Sequence, residues 1–111
     1  SASYNIPTAL HLKGFIDKAA LEASIQDIID RHESLRTIFI DIDGVGNQLI
    51  SPEMKLAITW HDVSHLNQEA IEKIVNEEAT KRFDLTKGPL IRVRLLIIGE
   101  REHILLLTLH H

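Results

Sequence analysis

The sequence predicts an α+β fold, two helices packed on one mixed or antiparallel sheet, in the order β-α-β-β-β-α-β-β. Three observations carry this. Two segments, Lys18–His32 and the stretch opened by Asn67, repeat apolar residues at helical spacing. Runs such as Tyr4–Lys13 and Leu90–Ile98 alternate or stay apolar, as strands do. Turn-formers at Gly14, Asp43–Asn47, Pro52 and Gly88-Pro89 separate these segments. A chain that mixes the two periods in this way suits helices laid against a sheet.

In order, Tyr4–Lys13 alternates, with Ile6, Thr8, Leu10 and Leu12 on one face, and Gly14 ends it. Pro7 lacks an amide donor, which places this strand at an edge or breaks it locally. Asp17 is a helix N-cap, and Leu21, Ile25, Ile28, Ile29 and His32 form one stripe behind it. Arg36–Asp41 and Gln48–Ser51 read as a hairpin around Asp43–Asn47, with a loop a little longer than two residues. Leu56, Ile58 and Trp60 alternate as a further strand. Asn67 opens the second helix, whose stripe is Ile71, Ile74, Val75 and Ala79, and Lys81 and Arg82 complement the dipole at its end. Leu90–Ile98 sets Ile91, Val93, Leu95 and Ile97 on one face and Arg92 and Arg94 on the other. Gly99–Glu102 turns into the last strand, Ile104–His111.

The bulk numbers narrow the function. At 111 residues the chain is one domain or half of a larger one. No apolar run reaches the ~18 residues of a membrane span. A net charge of −4 lacks the basic face that nucleic-acid binding asks for. The absence of cysteine excludes disulfides, thiolate metal sites and cysteine nucleophiles, and fits a cytoplasmic setting. No signal peptide opens the chain, and it lacks an initiator Met, so it reads as processed or excised. The abrupt stop at a strand end points the same way.

Seven histidines are many for this length. Two of them, His110 and His111, close the last strand, where alternation sends them to opposite faces. One can be pinned in a hydrogen-bond network while the other meets a substrate. Imidazole suits proton transfer near neutrality. The same pair also fits two structural histidines or the start of a purification tag. A shared metal is disfavoured, because neighbouring strand residues point apart and no other ligand pair has a recognisable spacing.

Four motifs extend the reading. Tyr4-Asn5-Ile6-Pro7 resembles the opening strand of nonribosomal peptide synthetase condensation domains. Arg31-His32-Glu33-Ser34-Leu35-Arg36-Thr37-Ile38-Phe39 is similar to that family's RHExLRTxF motif. Phe83-Asp84-Leu85 followed by Gly88-Pro89-Leu90-Ile91-Arg92 resembles its FDLxxGPLxR stretch, and His110-His111 resemble the first two residues of HHxxxDG. The resemblance implies an N-terminal subdomain of a chloramphenicol-acetyltransferase-like fold. It implies that residues 1–111 are a partial condensation domain, without the first core motif and the C-terminal half, and inactive alone.

The implied reaction joins a donor thioester to an acceptor amine. Both would arrive on phosphopantetheine arms of carrier proteins, beside adenylation domains of the same synthetase, with no cofactor bound by this chain and no nucleic-acid or membrane partner. In this reading His111 is catalytic, while His110, Arg31 and Arg36 support the site. For Arg31 the plain alternative is a cap on the first helix's end, and for Arg36 a solvated side chain. His32, on the helix stripe, reads as a core histidine, and His11, His61, His65 and His103 as surface or strand-face residues. Trp60 and Phe83 read as core rather than as a stacking pair, and Arg92 and Arg94 as exposed or ion-paired. Glu69, Glu72, Glu77 and Glu78 read as a solvated face. Rival readings are an epimerization domain, another acyltransferase of the superfamily, or a non-catalytic carrier-docking module. Heterocyclization domains are argued against, since they replace the His pair with Asp.

Overall fold

A computed structural model describes residues 4–111. Its regular elements are β1 (Asn5–Lys13), α1 (Lys18–Arg31), β2 (Thr37–Ile42), β3 (Val45–Ile50), β4 (Thr59–Asp62), α2 (Gln68–Thr80), β5 (Ile91–Gly99) and β6 (Glu102–His110), with a 3-10 turn at Glu33–Arg36. Four strands form a mixed sheet in the order β1-β6-β5-β4. The β1/β6 and β6/β5 pairs are antiparallel and β4/β5 is parallel. The β2–β3 hairpin stands apart as its own two-stranded sheet. β1 lies at an edge, as its proline predicts.

Both helices start where the sequence places them. Asp17 accepts from the Ala20 amide at 3.1 Å and Asn67 from the Ala70 amide at 2.9 Å. They cover opposite faces of the sheet. Ile25 and Ile29 of α1 pack with Ile91, Val93, Leu95 and Leu105. On the other side Val63, Leu96 and Leu106 pack with Ile71, Ile74 and Val75 of α2. β5 and β6 are therefore buried on both faces, which is why they read as nearly continuous apolar runs.

Several expectations need correction. The α1 stripe is narrower than expected: Ile28 is 46% exposed, being about 100° around the helix from buried Ile29. His32 is not a core histidine; it is exposed, because the chain leaves the helix there with φ −121° and ψ 106°. The hairpin loop is only two residues, Asp43-Gly44, with Ile42 opposite Val45. Both loop residues have positive φ, 51° and 79°, the requirement of a type I′ turn. The strand expected at Leu56–Trp60 starts later, at Thr59. The Gln26 side chain takes up the preceding segment instead, donating to the Met54 carbonyl at 2.7 Å and accepting from the Leu56 amide at 3.0 Å.

Glu78 departs most from its expected place. It is only 5% exposed. It lies seven residues after Ile71 and four after Ile74, so it belongs to the sheet-facing stripe. Arg92 of β5 meets it there, Nε to Oε1 at 2.8 Å.

Candidate active site

The site is built where β6 ends. The His110 amide donates to the Leu90 carbonyl at 2.9 Å, and the His111 amide to the Tyr4 carbonyl at 2.8 Å. The final dipeptide is thus held by main chain on both sides. His111 lies one residue beyond β6, and its side chain is exposed. His110 is half-buried. The two imidazoles have different surroundings, as strand alternation predicts.

Main-chain bonds also stitch the motifs together. The Leu90 amide meets the Leu35 carbonyl at 3.4 Å, so Leu35, Leu90 and His110 form one ladder through three separate sequence blocks. The Phe39 amide donates to the Leu85 carbonyl at 2.7 Å. In the loop that follows α2, Asp84 accepts from the Thr86 amide at 3.0 Å and the Thr86 hydroxyl at 2.5 Å. Those two bonds hold the Asp84 carboxyl below the usual carboxylate range. Gly88, at φ +63°, closes the loop: a Cβ there would sit 2.9 Å from the Met54 sulfur and 3.1 Å from Ile38 Cγ2.

Arg36 is a brace rather than a solvated side chain. Its Nε donates to the Ile29 carbonyl near the end of α1 at 3.2 Å, and Nη1 to the Ser51 carbonyl at 2.6 Å. It so ties the helix to the exit of β3. Arg31 ends α1 on the surface, 3.2 Å from Asp27 in an i,i+4 pair with both side chains more than half exposed. Such pairs contribute little to stability. Among the other histidines, His11 is exposed beside Glu102 at 2.6 Å, whereas His103 is buried, and its Nδ1 has no hydrogen-bond partner among the described residues.

The surroundings of His110 include residues that sequence pattern places elsewhere. Phe83 meets its ring in a T-shaped contact, centroids 5.8 Å apart, and the Tyr4 ring lies at 6.2 Å. Arg92 stacks on Phe83, its guanidinium carbon 4.5 Å from the ring centroid. Phe83 is thus more than the plain core residue expected. The signal available was its place in the FDLxxGPLxR stretch, but nothing local says that this stretch reaches the histidines.

Burial, with the neighbouring His111 adding to it, holds the His110 imidazole below its ordinary value of 6.5. A histidine that resists protonation in the folded state contributes stability that is complete above 6.5 and is lost as pH falls from there toward its lower folded value. The urea midpoint of the chain should therefore drop between pH 7.5 and 5.5, and His110→Asn should lessen that drop. An identical pH dependence in the variant counts against it.

Among the described residues no group of three or more His, Asp or Glu is arranged to hold a metal ion, and no helix is long and apolar enough to cross a membrane.

Comparison with known proteins agrees with this architecture. A family model described as "Condensation domain" matches residues 1–111. A linear gramicidin synthase polypeptide of Brevibacillus parabrevis is 44% identical over 115 residues, covering 100% of this chain and 2% of that protein. Cyclosporin synthetase of Tolypocladium inflatum is 40% identical over 108 residues, covering 97% of this chain and 1% of that protein. Among solved structures, the starter condensation domain of rhizomide synthetase superposes with a TM-score of 0.85 at 27% identity, over 100% of this chain and 28% of that one. The X-domain from teicoplanin biosynthesis gives 0.84 at 33% identity, over 96% and 23%. The chain thus spans one to two hundredths of these synthetases and about a quarter of these domains.

Proposed function

The chain belongs to the condensation-domain family, and we propose that in its parent it forms one wall of an acyltransferase site that makes peptide bonds in nonribosomal peptide synthesis. The carrying observation is the placement of His111: an exposed imidazole at the end of a strand whose last amides are pinned by Leu90 and Tyr4. Carrier proteins would present a donor thioester and an acceptor amine on phosphopantetheine arms. The amine nitrogen attacks the thioester carbonyl, the C–N bond forms and the C–S bond breaks. His111 takes the proton that the amine loses, or orients that amine, and the pantetheine sulfur leaves to end as a thiol. The His110 main-chain amide and the Arg36 guanidinium hold the strand end and the helix around it, while the His110 imidazole, its Nε2 buried without a hydrogen-bond partner among the described residues, is assigned its support role through the motif. Arg31, at the surface end of α1, is assigned a support role through its place in the same motif.

A second reading has one observation in its favour. The teicoplanin X-domain, 33% identical here, was also solved as a complex with OxyB. That likeness supports a docking module that binds partners without catalysis. The assay that separates the two supplies a complete domain built on this sequence with carrier-bound donor and acceptor. Peptide-bonded product supports condensation, absence of product with retained carrier binding supports docking, and inversion of the donor's stereocentre supports epimerization. The 111-residue chain by itself, about a quarter of such a domain, is expected to give no turnover in that assay; a rate near that of the complete domain would count against a site shared with further chain.

A further inference from the structure

We propose that Phe83 and Arg92 are positioning residues for the histidine pair, with Glu78 as their buried anchor. The catalytic half of this inference rests on the reading of His111 given above; the structural half does not.

The chain of contacts begins at the end of α2. A helix leaves its last carbonyls without intrahelical partners. Here Arg92 supplies them from the sheet, donating through Nη2 to the carbonyls of Glu78 at 2.6 Å and Lys81 at 3.1 Å. Its Nε meets the Glu78 carboxylate at 2.8 Å, with side chains 19% and 6% exposed. Asn5 of β1 adds donors to the carbonyls of Ala79 at 3.1 Å and Lys81 at 2.8 Å. Asn5 is also the residue opposite His110 in the β1/β6 register. The end of α2 is therefore clamped to the two strands that flank the site.

With Nε and Nη2 both engaged, the guanidinium plane is fixed, and its face carries Phe83 at 4.5 Å. Phe83 in turn walls His110. A charged pair taken out of water is a costly way to attach a helix to a sheet, and an apolar pair would serve packing as well. What the pair adds is orientation, because a planar fork with several donors admits few positions. The Phe83 and Tyr4 rings lie against His110, and the Arg92 guanidinium lies behind Phe83; the charged group nearest along its own chain is His111. Loosening Phe83 lets water reach His110 and relaxes the side-chain packing beside the dipeptide that carries His111, whose main-chain bonds remain.

Arg92→Lys keeps the charge but loses the fork, and Phe83→Leu keeps the bulk but loses the ring. Two measurements test them. In the 111-residue chain, NMR titration of His110 should show its pKa rising toward 6.5 in both variants. In a complete domain, kcat should fall roughly tenfold with the KM values for both carriers unchanged, since small misplacement acts on the reacting geometry. Should a variant fold poorly, Glu78→Gln provides the same comparison with a neutral anchor. An unchanged His110 titration in folded variants overturns the inference. So does a loss of activity explained wholly by less folded protein. If His111→Ala proves fully active while the titrations shift as stated, the reading of His111 fails and the structural half of this inference stands.

Discussion

On the proposed role of His111, alanine there in a complete domain should lower peptide-bond formation by about 100- to 10,000-fold, the usual contribution of a positioned acid–base side chain. The loss falls on kcat, because His111 is exposed at the strand end and is not part of the packing that folds the chain. Its backbone bond to Tyr4 survives the substitution, as any residue except proline supplies an amide there. Thermal stability therefore stays near that of the parent. The measurement is single-turnover transfer from a loaded donor carrier to a loaded acceptor carrier. A variant that transfers at the parent rate removes His111 from the chemistry.

Leu95→Ala destabilises the chain by about 3–4 kcal/mol and lowers its Tm by roughly 15 °C. Leu95 is 0% exposed at the centre of the sheet, with Trp60 opposite on β4 and Leu105 opposite on β6. It packs in the cluster that contains Ile25 and Ile29 of α1, so truncation leaves a cavity closed on all sides. Leu49→Ala in the hairpin is the control: Leu49 is already 49% exposed and should cost little. Thermal and urea unfolding followed by circular dichroism compare the two. A Leu95 variant within about 1 kcal/mol of the parent would mean that the helix and sheet collapse onto the gap.

Much of the scaffold is legible in residue type and period. The caps Asp17 and Asn67, the edge position of β1, the sorting of β5 side chains and the divergence of His110 and His111 all follow from them. The motifs that resemble condensation domains lead to the family that the whole-chain match shows. The misplaced residues have two causes. At Ile28 and His32 hydrophobic or helical spacing continues where the helix turns away or ends. At Glu78 charge suggests solvent, although its place on the stripe of α2 foretells burial once a partner is available.

The amino-acid order alone determined the succession of helices and strands, the residues that cap the helices, and the alternation of side chains along β5. Those properties depend on backbone geometry within a few neighbours. Only the tertiary structure decided that α1 and α2 cover opposite faces, that the hairpin stands outside the main sheet, and that Glu78, Arg92 and Phe83 converge behind His110. Contacts between elements depend on how the layers dock, and a periodic pattern records that a face is apolar without recording what will cover it.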